Sequence, residues 1–167
     1  WCCLAYYSRT VYLMGLEKVC KFFATLGPIG YLPAPGTMAS AAVLIALYFI
    51  KPCSGFCCYT FLVLISIIIS FFIIEWTQRY YKLGDASEIV IDEYVGALIA
   101  IMFLPATVPV YIAAFIMFRF FDIYKPLGIR KIEELPGAFG VLFDDVVAGV
   151  YSWIVVYSGL VLYGYFF

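Results

Sequence analysis

Acidic and basic side chains that could act together fall into three clusters along this chain. In chain order they are Asp92–Glu93, then Arg119 with Asp122 and Lys125, then Asp144–Asp145. Each cluster borders an uncharged stretch, and a charge at the centre of a bilayer costs roughly 2.5–3.5 kcal/mol. Carboxylates are the ligands that Mg²⁺ prefers, and Arg and Lys bind phosphate oxygens. The clusters therefore predict a phosphate and metal site at a membrane surface.

The first cluster is expected on a helix. Asp85, Glu88 and Asp92 are spaced i, i+3 and i+7, which predicts one helical stripe that begins near Ala86 with Asp85 as its N-cap. Asp92 and Glu93 then follow three apolar residues and precede a long uncharged stretch. They are either a solvated helix end or a functional pair.

The second cluster combines both signs of charge. Arg119 and Asp122 are one helical turn apart, and Lys125 follows just before Pro126 ends the helix. One interpretation is an ion pair with a snorkelling lysine. The other is an Arg fork and a Lys point charge that grip phosphate while Asp122 binds a cation, with Arg130 extending the positive patch.

The third cluster follows a glycine-containing loop at 136–140 and opens the uncharged stretch 146–167. An acidic pair near a helix N-terminus is stabilised by the macrodipole, so capping alone is one interpretation of Asp144 and Asp145. The other is metal binding. The three clusters together hold five carboxylates, enough for one or two Mg²⁺ ions.

Composition places the chain in a membrane. It is 66% hydrophobic with a mean hydropathy of +1.04, whereas soluble domains are about 45–50% apolar. The net charge of −1 does not favour nucleic acid. There is no histidine, so proton transfer and metal binding must use other side chains. The six cysteines lack CxxC spacing and are interpreted as small hydrophobic residues.

Four uncharged stretches exceed the ~20 residues that cross a bilayer. They are 22–50, 52–74, 94–118 and 146–167. Proline and glycine break two of them, which predicts a loop at 27–36, a helix from about Thr37 to Ile50, and a helical hairpin at 89–104 and 110–124. The predicted fold is all-α: a polytopic membrane bundle of roughly four to five apolar helices, some short or re-entrant.

Charge predicts the orientation. With a cytoplasmic N-terminus, every lysine and arginine except Lys51, and every acid, would lie on the cytoplasmic side. This predicts a multi-pass protein of a bacterial-type inner membrane with its acidic site on the cytoplasmic face. Residues 1–167 are expected to form one domain, with 1–13 an extension or a fragment edge before an alternative start at Met14.

Four segments of the chain closely resemble the phosphatidylglycerophosphatase A family. They are Gly30–Thr37, Ile89–Gly96, Phe118–Arg130 and Gly137–Gly149. The resemblance covers about 25–150 and departs at Ala39, Gly128 and Ala138, none of which removes a charge. It implies an Mg²⁺-dependent phosphomonoesterase that converts phosphatidylglycerophosphate into phosphatidylglycerol.

The resemblance also gives the clusters roles. Asp92, Glu93, Asp122, Asp144 and Asp145 would be the catalytic and metal-binding residues. Arg119, Lys125 and Arg130 would bind phosphate, and Thr37 would face the headgroup from a helix N-terminus. Attack by water and an aspartyl-phosphate intermediate both stay open. The alternative function is a small membrane transporter or ion-binding subunit with an interfacial carboxylate site.

Overall fold

The computed structural model describes residues 18–50, 55–80 and 88–164. Within these residues the chain is helical and contains no strand, so the predicted all-α class is confirmed. Residues 18–24 are helical and Ile29–Tyr31 form a 3₁₀ turn. The α-helices that follow are α1 Pro35–Ile50, α2 Phe56–Tyr80, α3 Ile91–Ala100, α4 Val108–Tyr124, α5 Ile129–Glu133 and α6 Ala138–Leu162.

Within the described ranges, two helices are long and apolar enough to cross a membrane. These are α2, over Phe56–Arg79, and α6. Helix α2 also exposes large apolar side chains along its length, such as Phe61, Ile68 and Phe72. A contiguous apolar surface of this kind is typical of contact with lipid or another protein. The predicted number of four to five apolar helices and the multi-pass topology stay predictions, and Lys51 and residues 1–13 lie outside the described residues.

Proline starts helices here two residues earlier than predicted. Helix α1 begins at Pro35 instead of Thr37, and α4 begins at Val108, so that Pro109 lies in its first turn instead of in the hairpin loop. The reason is that the first turn needs no N–H donor from the chain, and the fixed φ of proline suits it.

The acids sit differently on their helices than the spacing predicted. Helix α3 begins at Ile91, so the stripe of Glu88 and Asp92 on one helix is wrong, while Asp85 lies outside the described residues. No side chain caps this helix, and the N–H of its N-cap residue, Val90, donates to the Ala24 carbonyl at 2.9 Å. Glu88 instead faces Lys21 at 4.0 Å.

Helix α6 also begins earlier than expected. Its N-cap is Gly137, in a positive-φ conformation (φ 68°) that glycine tolerates best. Asp144 and Asp145 therefore lie in the second turn, and the interpretation of this pair as a helix cap is wrong. Both side chains are buried in the protein.

Helices α3 and α6 cross closely because each carries a glycine at the crossing. A methyl group at Gly149 would lie 2.6 Å from the Gly96 carbonyl oxygen, and one at Gly96 would lie 2.9 Å from the Asp145 carbonyl oxygen. Such backbone approach is possible only between small residues. The crossing brings the acids of α3 against those of α6.

Replacing Gly96 with Ala should therefore destabilise the protein. The added methyl group would overlap the ring of Phe118, which is fully buried, as well as the backbone of α6. Overpacking of this kind costs about 1–3 kcal/mol. Thermal unfolding in detergent should show a lower Tm for Gly96→Ala, while an unchanged Tm would contradict the tight crossing.

Candidate metal and phosphate site

Three carboxylates from two helices meet at the crossing. One oxygen each from Asp92, Glu93 and Asp145 lies within 4.8 Å of the other two, and we call these three residues the acidic trio. Asp92 and Glu93 lie in the first turn of α3, and Asp145 lies in the second turn of α6. Asp145 is 3% exposed, so water screens its charge little. The sequence prediction of converging acids holds for these three.

The surroundings of the trio do not favour free carboxylates. Burial, followed by the charge of Glu93, raises the pKa of Asp92 well above its usual range. Burial also raises the pKa of Glu93. The charges of Asp92, Asp122, Glu93 and Asp144 all act on Asp145. A bound cation would offset this repulsion, because an opposite charge stabilises the ionised form.

The donor atoms of the trio fit a hard divalent cation. All three are carboxylate oxygens, which suit Mg²⁺, Ca²⁺ and Mn²⁺. The Oε2 atom of Glu93 is buried and has no hydrogen-bond partner among the described residues. A buried carboxylate oxygen normally has a partner, so this atom is suited to a ligand.

Arg119 and Asp122 form an ion pair beside the trio. The Nη1 atom of Arg119 lies 2.6 Å from Oδ2 of Asp122. The Nε atom of the same guanidinium is buried and has no hydrogen-bond partner within the described part of the chain. The Nε–H of Arg119 is therefore an unused donor, from which an anion such as phosphate could accept a hydrogen bond.

Gly36 places the start of α1 directly against this site. A methyl group at Gly36 would clash with Oε1 of Glu93 and would lie 3.2 Å from Nη1 of Arg119. The positive end of the α1 dipole therefore lies beside the acid and the guanidinium. Thr37 follows in the same turn and is half-buried.

Lys125 holds two acids at the end of α4. Its Nζ lies 2.6 Å from Oδ2 of Asp144 and 2.7 Å from Oε1 of Glu133. Burial alone would lower the pKa of Lys125, but its hydrogen bonds to Asp144 and Glu133 outweigh burial and raise that pKa. The lysine is therefore a fixed positive charge next to the trio.

The site thus contains two kinds of carboxylate: those paired with Arg119 or Lys125, and those of the acidic trio. Asp122 and Asp144 were predicted as metal ligands, and each is paired with a cation in the structure. Arg130 is exposed on α5 and makes no ion pair with a described residue, so its role stays a prediction. Glu133 was missed, because it follows Lys125 across the break at Pro126, where no helical spacing connects them.

Replacing Glu133 with Gln tests the part this acid plays. The change keeps the size of the side chain and removes one of the two acids that hold Lys125. The lysine stays charged at neutral pH but is held less firmly, so we expect kcat/KM to fall several-fold. The measurement is kcat/KM for phosphate release at neutral pH. A Glu134→Gln variant, in the exposed neighbour, is the control. Equal kcat/KM values for both variants would show that Glu133 does not position Lys125.

Buried carboxylates beside an unused guanidinium donor suit a phosphate ester that binds together with a cation. The two apolar helices suit an ester that is part of a membrane lipid. Fold and site together indicate the class of helical membrane phosphatases. Comparison with known proteins identifies the family: the model of the Phosphatidylglycerophosphatase A family matches residues 22–159, and the chain belongs to that family of phosphatases.

Curated relatives cover most of the chain. A Haemophilus influenzae protein named Phosphatidylglycerophosphatase A is 35% identical, over 75% of this chain and 78% of its own length. An Escherichia coli protein of the same name is 34% identical, over 78% of this chain and 74% of its own length. A Bacteroides thetaiotaomicron protein, provisionally named phosphatidylinositol-3-phosphatase, is 39% identical over 76% of this chain and 84% of its own length. No solved structure matches the chain.

Proposed function

We propose that this protein is an Mg²⁺-dependent lipid phosphatase that hydrolyses the terminal phosphomonoester of phosphatidylglycerophosphate. The products would be phosphatidylglycerol and inorganic phosphate. The observation that carries the proposal is the acidic trio beside the unused Nε donor of Arg119. The family membership supports the substrate, and it favours an enzyme over the alternative of an ion-binding transporter subunit.

The residues divide into those that hold the cation and those that bind phosphate. Asp92, Glu93 and Asp145 would hold Mg²⁺, with Asp122 and Asp144 as the next carboxylates available. When bound, Mg²⁺ would supply positive charge against the oxygens of the phosphoryl group. The trio offers oxygen ligands at one point.

Phosphate would be held from the opposite side by positive groups. Arg119 would donate from Nε to a phosphoryl oxygen while Nη1 stays with Asp122, which keeps the guanidinium plane fixed. Lys125 would place its charge near the equatorial oxygens, and the N-terminus of α1 at Gly36 and Thr37 would add N–H donors. These contacts would strengthen as negative charge spreads in the transition state.

Proton transfer must use carboxylates because the chain lacks histidine. In direct hydrolysis a water attacks phosphorus, its proton passes to a carboxylate, and the phosphorus–oxygen bond to the glycerol breaks. The released alkoxide then takes a proton to give phosphatidylglycerol. The other route forms an aspartyl phosphate first. Acid-quenched turnover of lipid that carries ³²P in its terminal phosphate would leave hydroxylamine-sensitive label on the protein only in the second route.

The proposed location of this activity rests on the distribution of charged residues along the chain and on the bacterial source of the relatives. We place the site on the cytoplasmic face of a bacterial inner membrane, in a multi-pass protein whose residues 1–167 form one domain. The bacterial relatives and the two membrane-capable helices support this placement. Cysteine labelling from either side of the membrane, at positions flanking α2 and α6, would test it.

A second candidate substrate is phosphatidylinositol 3-phosphate. The relative with 39% identity is provisionally named for it. Both lipids carry a phosphomonoester on a polyol headgroup, and the trio and Arg119 would recognise that shared group. The candidates differ in the polyol that carries the phosphate, an acyclic glycerol or a bulkier inositol ring with further hydroxyls, so their rates must be compared directly.

The deciding experiment measures phosphate release by the purified protein in detergent. Phosphatidylglycerophosphate, phosphatidylinositol 3-phosphate and soluble glycerol 3-phosphate would be supplied in parallel, each with Mg²⁺ and with a chelator. We expect release from the first lipid, dependent on Mg²⁺, at a kcat/KM at least about tenfold above the other two. Faster release from the inositol lipid would reverse the choice of substrate. No release from folded protein with Mg²⁺ would overturn the proposed activity.

A further inference from the structure

An apolar groove lies between α1 and α4. It has a volume of about 350 Å³, and its walls include Ala41, Leu44 and Ile45 on α1 and Tyr111, Ile112 and Phe115 on α4. No charged residue lines it. Ile45 and Ile112 are largely exposed, so the groove is open along its length. A groove of this composition suits a flexible hydrocarbon chain.

The groove starts close to the phosphate-binding groups. Helices α1 and α4 run antiparallel, because Gly36 lies against Arg119 at one end while the rings of Tyr48 and Tyr111 are 5.5 Å apart towards the other. At a rise of 1.5 Å per residue, Ala41 is about 7 Å along α1 from Gly36. Phe115 is likewise about 6 Å along α4 from Arg119.

From that point the groove leads away from the charges. Its wall on α1 continues from Ala41 to Phe49, a further distance of about 12 Å along the helix. The phosphate-binding groups and the apolar groove thus lie along the same two helices, α1 and α4. A lipid with its phosphate at Arg119 would have its hydrocarbon part beside this groove.

We infer that the groove between α1 and α4 holds an acyl chain of the lipid substrate while its phosphate lies between Arg119 and the acidic trio. This inference rests on the proposed function and adds a binding site for the acyl chain of the substrate. Lipid tails already lie in an apolar medium, so the groove would contribute little by burial. Its contribution would be positional, since a seated chain fixes the headgroup relative to the acids.

Blocking the groove near its polar end tests the inference. Ala41→Phe would place a ring in the groove about one and a half turns from Gly36. Ala42→Phe is the matched control, because Ala42 is the exposed neighbour on the same helix and does not line the groove. Both variants would be assayed with Mg²⁺ on phosphatidylglycerophosphate carrying either two hexanoyl or two palmitoyl chains. Ile112→Phe supplies a second block from the opposite wall.

The readout is the ratio of kcat/KM on the long-chain lipid to that on the short-chain lipid. We expect Ala41→Phe and Ile112→Phe to lower this ratio about tenfold, and Ala42→Phe to leave it at the wild-type value. Equal ratios in all four proteins would overturn the groove assignment while leaving the phosphatase standing. Wild-type protein that releases phosphate from neither lipid would overturn both. Loss of an oligomer in the groove variants, with the ratio unchanged, would assign the groove to a second copy of the chain instead.

Discussion

Replacing Asp145 with Asn should abolish phosphate release while leaving the folded protein at least as stable as the wild type. The variant keeps the shape of the side chain and removes one of three charges that lie within 4.8 Å of one another. Loss of a ligand charge should lower kcat by about 10³-fold or more. At the same time, removal of a 3% exposed charge relieves repulsion from Asp92, Glu93 and Asp144. We therefore expect a Tm that is equal or higher without Mg²⁺.

Thermal unfolding with and without Mg²⁺ separates these effects. The Tm of the wild-type protein should rise when Mg²⁺ is added, because a ligand that binds the folded state stabilises it. The Tm of Asp145→Asn should rise much less. Glu75→Gln is the control, since Glu75 pairs with Arg79 away from the trio. It should keep both the activity and the response to Mg²⁺. Substantial turnover by Asp145→Asn would remove this residue from the proposed cation site.

Adding one methyl group at Gly36 should be almost as damaging. In Gly36→Ala the new carbon would collide with the Glu93 carboxylate and crowd the Arg119 guanidinium, so α1 or both side chains must move. Misplacement of catalytic groups by about 1 Å can cost 10²-fold in rate, and we expect a loss of that order in kcat/KM. Phosphate-release kinetics on the variant would measure it.

Gly159→Ala provides a matched control for this substitution. Gly159 lies in α6, and a methyl group there would meet nothing within 4 Å. Alanine is the better helix former by about 1 kcal/mol, so this variant should be active and slightly more stable. Near-normal activity of Gly36→Ala would show that the start of α1 does not contact the reacting groups.

The sequence was sufficient to find the charged residues but not to assign their partners. Uncharged flanking stretches made Asp92, Glu93 and Asp145 conspicuous, and the structure brings these three together. Asp144 looks the same in sequence as its neighbour, yet it pairs with Lys125. The choice depends on how α6 is rotated against α3 and α4, and helical spacing within one segment carries no information about that rotation.

The predicted start of α3 was wrong for a related reason. The spacing of Glu88 and Asp92 suggested one helix, but α3 begins at Ile91, and the Val90 N–H before it donates to the carbonyl of Ala24, which is distant in sequence. Gly36 belonged to Gly30–Thr37, one of the segments that carry the family resemblance, and the prediction placed Thr37 at the headgroup. Its close approach to Glu93 was out of reach, because a steric limit becomes visible only once both helices are in place.

Asp144 and Asp145 are consecutive in the chain and serve different partners. Asp144 bonds Lys125, and Asp145 joins the carboxylates of α3. Successive residues on a helix point about 100° apart, so a single rotational setting of α6 satisfies both. One residue inserted between Asp145 and Gly149 would turn both acids by about 100° relative to the glycine crossing, whereas an insertion after Val156 would leave the acids and the crossing in place. Tolerance to length changes in this helix should therefore end at the glycine crossing.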